Sequence, residues 1–372
     1  VVTYAEGLEE ALAEFPVRRA ARVPGLRALG SGPRPAKLLL DAALLLRLLE
    51  VLKRESIEVM HAHNYEAALI GLAARRLTDV PLIYHSHNAL AEELPTYFRT
   101  RTARRLAGIV GAVADREVPR RADHCIAICR ELVGFLRERG VGPQAIEMIA
   151  PGGSPEEFPA CSVAEAARIR ARFGFGERPV LLYTGNLDGY QNLELLLASI
   201  GTVRETIGDA LLVLATHATP RDLPAHLRRL PPGVRLVTAG DFATVRDLIQ
   251  VADLALCPRR EWSGFPMKLL NYMAAAKAVV VSAGSAKAVR HGVNGVIVDG
   301  DGPEAFAAAV LDLLRDPGRR RQLGAAARRT VEDEYGWERV VDQVETTYRT
   351  VLQRRAAGTD APAARPLGIL EA

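Results

Sequence analysis

The sequence predicts an α/β protein made of two doubly wound, parallel-sheet halves, and three observations carry that prediction. Short apolar runs rich in β-branched residues alternate with helical stretches of 10 to 17 residues along most of the chain. The 372 residues exceed the size at which one hydrophobic core keeps growing, so two domains are expected. Pro151-Gly152-Gly153-Ser154-Pro155 breaks the pattern between a strand and a new strand–helix series, which puts the hinge near 151–160.

The strand-like runs are 57–63, 80–87, 124–128, 146–150, 180–185, 210–215, 234–239, 254–257, 278–282 and 296–298. Strands buried on both faces read as continuous apolar runs, as Val180-Leu181-Leu182-Tyr183 and Ala278-Val279-Val280-Val281 do. Helical spacing fills intervals such as 193–206 and 303–314, and the last helices are expected over 317–334 and 337–353. The resulting plan is a first domain over 1–155, a second over 156–336, a crossing helix over 337–353 and a disordered Ala/Pro/Gly-rich tail over 354–372. The chain opens at Val1 directly in a strand-like run, so an upstream piece is expected to be missing.

Bulk chemistry excludes several classes. A net charge of +4 is too weak for a nucleic-acid binder. No apolar stretch approaches the ~20 residues that span a bilayer, because the most apolar helix, 36–52, is interrupted by Asp41 and Arg47. Cys125, Cys129, Cys161 and Cys257 form no CxxC pair and read as reduced, buried residues of a cytoplasmic protein.

Ligands of open parallel sheets sit beyond the carboxyl ends of the strands. Those ends carry His61-Ala62-His63-Asn64-Tyr65-Glu66 and His85-Ser86-His87-Asn88 in the first half. In the second half they carry Gly185-Asn186-Leu187-Asp188-Gly189-Tyr190-Gln191 and the segment from Arg259 to Lys268. Within that segment Ser263-Gly264-Phe265-Pro266 reads as a turn opening a helix. Its glycine permits close backbone approach, and the free N–H groups at the helix start suit a phosphate. Lys268, one turn in, adds a point charge. The bland alternative is that Ser263 only caps the helix and Lys268 is solvated.

The two HxH pairs, His61/His63 and His85/His87, each place two imidazoles on one strand face, a chelating arrangement for zinc. No acidic residue or further His follows at a spacing that completes either set, so satisfied histidines are favoured and no metal is expected.

In order along the chain, His61-Ala62-His63, His87-Asn88, Pro151 through Phe158, Gly185 through Asp188, Gly264 through Ala274, Val289 through Gly295, and Tyr335-Gly336-Trp337-Glu338 resemble the family-4 glycosyltransferases, retaining enzymes of the GT-B fold. The resemblance spans nearly all of residues 1–353. It implies two Rossmann-like domains facing across a cleft and a final helix crossing back to the first domain. It further implies a nucleotide-diphosphate sugar on the second domain and a glycan or lipid-linked hydroxyl acceptor on the first. The leaving diphosphate then serves as base, with no protein nucleophile and no cofactor. By position, His87 is the cleft histidine near the reacting carbon, and Gly264, Phe265, Pro266 and Lys268 lie at the phosphates. Gly185 lines the donor side, and His63, Asn64, Glu66 and Asn88 fall on the acceptor side.

The chain departs from that family where cations usually touch the diphosphate, carrying Asn186 and Gln191 instead. It carries Ser263 and Asn271 where glutamates usually touch the sugar and ribose, and Lys287 where an acid is frequent. Charge-assisted bonds are worth about 1.5–3 kcal/mol each, so losing two cations costs several kcal/mol unless Lys268, Arg259 and Arg260 restore the charge. A non-catalytic relative that keeps the fold as a binding or scaffold subunit is the alternative. Relative to the family, one strand, one helix and a Gly-rich loop are expected to be absent before Val1.

Smaller features remain open. Arg99, Arg101, Arg104, Arg105, Arg116, Arg120 and Arg121 fall within 23 residues that hold only Asp115 and Glu117 as acids. A solvated helix face is favoured over contact with anionic headgroups at the inner membrane face. Glu92-Glu93 suits an acceptor or a helix start. Phe242 is a candidate nucleobase wall, with core packing favoured.

Overall fold

The computed structural model describes residues 1–5, 15–26, 37–219, 223, 227–260, 262–300 and 302–358. The chain divides into two compact units, Val1–Ile149 with the chain from Asp342 onward, and Ala150–Val341.

In the first unit β1 (Val2–Thr3) pairs in parallel with β2 (Arg18–Arg19). Then come α1 (Lys37–Arg54), β3 (Met60–His63), α2 (Asn64–Thr78), β4 (Leu82–Ser86), α3 (Leu90–Glu93), α4 (Arg101–Arg121), β5 (His124–Ala127), α5 (Arg130–Glu138) and β6 (Ile146–Met148). Strands β3, β4, β5 and β6 lie side by side in chain order, all parallel. The run read as a strand over 57–63 pairs only from Met60, whose N–H bonds the Pro81 carbonyl. Helix α2 ends on Asp79 in the left-handed region (φ 58°), and its amide closes on the Arg75 carbonyl.

The second unit runs α6 (Val163–Arg172), β7 (Val180–Thr184), α7 (Leu193–Thr206), β8 (Leu211–Thr216), β9 (Val234–Thr238), α8 (Phe242–Val251), β10 (Leu254–Cys257), α9 (Met267–Ala274), β11 (Val279–Ser282), β12 (Val296–Val298), α10 (Pro303–Arg315) and α11 (Pro317–Glu334). The sheet order is β12-β11-β10-β7-β8-β9, all parallel. Every residue of β7, β8, β10 and β11 is buried, as their continuous apolar runs require. Leu196, Ile200 and Val203 of α7 join Phe306, Val310 and Leu313 of α10 in the core on one face. Ser162, Asp241 and Asp316 cap α6, α8 and α11 through their side chains, as their positions before helical runs predict.

The last helix, α12 (Trp337–Ala356), runs three residues past the expected end at 353, and from Asp342 on it belongs to the first unit. Of the tail expected over 354–372, residues 359–372 lie outside those described. Cys125, Cys129 and Cys257 are buried as expected, whereas Cys161 is only half-buried. Among the described residues no helix is long and apolar enough to cross a membrane.

Candidate functional site

The order of the second sheet reverses between β7 and β10, and the crevice beyond such a reversal is where open parallel sheets hold ligands. The residues singled out in that half lie just beyond these two strands. Gly185 follows β7 with φ 127°, and a Cβ there would sit 2.9 Å from the Lys268 ammonium, so the position requires glycine. Gly264 has φ 85°, which turns the chain from β10 into α9.

Helix α9 is held to the central strand by the buried Tyr272 hydroxyl. It accepts from the Thr184 amide at 2.7 Å and lies 3.0 Å from the Thr184 hydroxyl. That anchorage aims Lys268 back across the tip of β7. Its Nζ donates to the Tyr183 hydroxyl (2.8 Å) and to Gln191 Oε1 (3.0 Å), and stands 3.9 Å from the centre of the Tyr183 ring. Both hydrogen-bond partners are neutral. Burial, with Arg259 opposing its charge further, lowers the Lys268 pKa to about 8.

Around it runs a chain of amide and hydroxyl groups. Gln191 Nε2 donates to Asn186 Oδ1 (2.8 Å), and Asn186 Nδ2 donates to Asp188 Oδ2 and the Tyr190 hydroxyl, each at 2.8 Å. The Tyr183 hydroxyl donates to the Asn186 carbonyl at 2.6 Å. Asn192, left-handed at φ 55°, donates to the Pro258 carbonyl and ties this loop to the end of β10. Asn186, Gln191, Gly185 and Lys268 therefore form one cluster.

Neither part of the bland reading of the 263–268 segment holds. Ser263 is buried and caps nothing. The N-cap residue is Pro266, and Lys268 is half-buried with its ammonium bonded to Tyr183 and Gln191. Phe265 is buried, and the Ser263 carbonyl accepts from Arg259. Asn271 is half-buried three residues after Lys268, on the same face of α9. Lys287 donates to the Trp262 carbonyl at 2.6 Å. Phe242 is 45% exposed and meets Phe158 edge-on, so the favoured core role does not hold.

In the first unit the register of β3 on β4 sets His63 opposite His85. All four histidines then share one sheet face, so the two HxH pairs, each incomplete alone, meet. Nε2 of His61 lies 3.1 Å from Nδ1 of His85, and Nδ1 of His63 lies 3.0 Å from Nε2 of His87. His61 Nδ1 also meets the Tyr348 hydroxyl at 2.6 Å, while His85 Nε2 is buried without a partner. The candidate ligand nitrogens of His61, His63 and His85 lie within 4.8 Å of one another. They are engaged as two hydrogen-bonded pairs, so a metal would have to displace those bonds. Burial lowers the pKa of His61 to about 3 and of His87 to about 4, and pushes His63 and His85 down as well, which keeps the rings neutral.

The remaining first-unit residues divide. Asn64 takes φ 67° at the start of α2, and Asn88 donates to Glu93, which also accepts from Tyr97. Glu66 is ion-paired with Lys37 at 2.5 Å. Tyr65 is buried and donates to Asp115, a residue that sequence reasoning passed over as one acid among arginines. Asp115 is wholly buried and also accepts from the amides of Leu90 and Ala91 at 2.8 and 2.9 Å, so α4 caps α3. Its one legible signal was its place four residues after Gly111, on the small-residue face of α4.

A parallel sheet in this order, with a buried ammonium and an amide-rich turn at its reversal point, defines a doubly wound α/β protein suited to an anionic ligand. Residues 1–152 match the family described as glycosyl transferase 4-like domain, and residues 178–316 match glycosyl transferases group 1. The chain belongs to this family of glycosyltransferases. The D-inositol 3-phosphate glycosyltransferase of Geodermatophilus obscurus is 29% identical over 351 residues, covering 89% of this chain and 75% of its own. That of Kribbella flavida is 26% identical, covering 92% and 82%. In fold, the chain is similar to Anabaena HepE, crystallised with UDP and glucose (TM-score 0.73, 17% identity, 92% and 89% covered). It is also similar to the sucrose-phosphate synthase of Thermosynechococcus elongatus (TM-score 0.73, 20% identity, 96% of each chain).

Proposed function

We propose that this glycosyltransferase moves a sugar from a nucleoside-diphosphate donor to a hydroxyl of a glycan or lipid-linked acceptor, with retention at the anomeric carbon. The observation that carries the reading is Lys268. Its ammonium donates to two neutral partners, Tyr183 at the end of β7 and Gln191 in the loop beyond it, from the first turn of the helix that follows Gly264. A cation whose hydrogen-bond partners are neutral groups suits an anion, and a diphosphate provides one.

The reading also accounts for the missing family cations at 186 and 191. Gln191 Oε1 accepts from Lys268, so positive charge reaches the same place from α9. As the sugar–phosphate bond breaks, charge builds on the departing diphosphate, and Lys268 with the amides after Gly264 stabilises it. Asn271, an amide with donor and acceptor, serves a ribose hydroxyl. Retention follows if the departing phosphate takes the acceptor proton on the face it leaves. To His87, which burial keeps neutral and which is hydrogen-bonded to His63, we assign an uncharged contact with a sugar hydroxyl. No step calls for a metal.

Calorimetry with a panel of nucleoside-diphosphate sugars tests this, starting with UDP-glucose, the ligand in a HepE crystal structure. At least one member should bind, with equal affinity before and after treatment with a chelator. Anomeric analysis of the product should show the donor's configuration. Folded protein that binds no member of the panel overturns the proposal, and binding without turnover on any acceptor identifies the non-catalytic alternative.

A further inference from the structure

Each HxH pair of the first unit offers two imidazoles, and the expectation of no metal rested on taking the pairs separately. Strand register removes that premise. Parallel pairing sets His63 opposite His85, and the alternation of side chains then leaves His61 and His87 on the same face. Ring centroids of neighbouring histidines in this group are 4.5 to 5.3 Å apart.

His61, His63 and His85 bring one nitrogen each to within 4.8 Å of one another. Tetrahedral zinc holds imidazole nitrogens at about 2.0–2.1 Å, which sets its ligands about 3.3–3.4 Å apart. The hydrogen-bonded nitrogens already stand at 3.1 and 3.0 Å, so ring rotation on a fixed sheet closes the set.

Three features favour that exchange. The Tyr348 hydroxyl meets His61 Nδ1 at 2.6 Å and leaves Nε2 facing His85, which is how a ligating imidazole is oriented from behind. His85 holds a buried Nε2 with no hydrogen-bond partner, so one of its nitrogens is unused. His63 is exposed and gives a cation a way in. Against these stands the loss of two hydrogen bonds between neutral rings, each of modest worth.

We propose that His61, His63 and His85 form a site for a divalent transition cation of the zinc class, with Tyr348 orienting His61 and the fourth position open. The set contains no carboxylate, so it disfavours magnesium and calcium, which take oxygen ligands. The site itself needs neither donor nor acceptor. Its consequence rests on the function proposed above. A cation on His63 takes that ring from His87, to which a sugar hydroxyl is assigned, so zinc should arrest transfer and leave donor binding in the second unit untouched.

Calorimetric titration of the metal-free full chain with zinc chloride tests it. About one equivalent should bind, and magnesium chloride should give no heat of binding. Cobalt in place of zinc should develop the visible absorption of tetrahedral nitrogen coordination. His61→Gln and His85→Gln should each weaken zinc binding roughly tenfold or more, and Tyr348→Phe roughly tenfold. His217→Gln, an exposed histidine outside the group, should leave the titration as it was. Where a half-buried substitution lowers the melting temperature of the metal-free chain, His63→Gln replaces it, since that ring is exposed. Absence of zinc binding overturns the proposal. So does binding that survives in the His61→Gln/His63→Gln double variant, because the zinc would then be an adventitious ion only. Zinc binding by a chain that takes no nucleotide sugar supports this site while striking the proposed function.

Discussion

At the carboxyl ends of β3 and β4 in the first unit stand four imidazoles that burial keeps neutral; beyond β7 and β10 of the second stands the Lys268 ammonium, bonded to neutral partners. The backbone plan is the same in both places: parallel strands, each delivering its next residues to the same edge of the sheet. The difference lies in what the side chains ask of a ligand. The histidines offer uncharged donors and acceptors, suited to sugar hydroxyls, whereas Lys268 offers charge, suited to phosphate. The same strand plan thus carries an uncharged cluster in one unit and a cationic one in the other.

Asp115→Ala should produce the largest effect. It strands the Leu90 and Ala91 amides and the Tyr65 hydroxyl together, a loss of about 3 kcal/mol or more. Hydrogen exchange should rise across residues 82–121, with nucleotide affinity in the second unit unchanged. A loss of nucleotide affinity would show that the two clusters are coupled. Lys268→Met comes next and acts in reverse. It should weaken nucleoside-diphosphate binding roughly tenfold to a hundredfold, the worth of one charge-assisted bond, while first-unit exchange stays as it was. Retained affinity would show that the ammonium is not the phosphate ligand.

The most gradual and most discriminating effects come with pH. The unfolded chain protonates its histidines near pH 6.5, whereas His61 and His87 resist down to about 3 and 4 when folded. The unfolded state therefore binds more protons in that window. First-unit stability is fully present above pH 6.5 and falls below it by about 1.4 kcal/mol per pH unit for each such histidine. Donor affinity should decline on the other side. Above pH 8 the free Lys268 loses its proton, and binding should weaken by up to about tenfold per unit. Acid unfolding followed by exchange, and calorimetry across the alkaline range, separate the two. A single transition shared by both units would collapse the distinction.

Much of the fold was legible because buried parallel strands announce themselves: β7, β8, β10 and β11 are unbroken apolar runs observed within a residue or so of their expected limits. The start of β3 was not, since residues 57–59 are apolar enough to read as strand but lie outside the pairing that begins at Met60. In the site, Gly185, Asn186, Gln191 and Lys268 were each visible as strand-tip residues. Their mutual bonding was not, because it depends on how α9 is turned by Tyr272. The histidine cluster was missed for want of register. Two pairs on neighbouring strands complete each other only when His63 meets His85, and adjacency of consecutive strands was the signal available. Asp115 escaped because a buried carboxylate is defined by donors far from it in sequence.

Helix α9 is also fastened at its far end, where Arg328 donates to the Ala274 carbonyl at 2.9 Å and to the carbonyls of Phe158 and Pro155. A helix pinned at both ends cannot slide to accommodate a different sugar or base. Drift on this stationary scaffold must then proceed by exchanging side chains, with position 271 free to vary while position 268 is tied to Tyr183 and Gln191. Ancestry would be written in the anchors, and diversification in the residue between them.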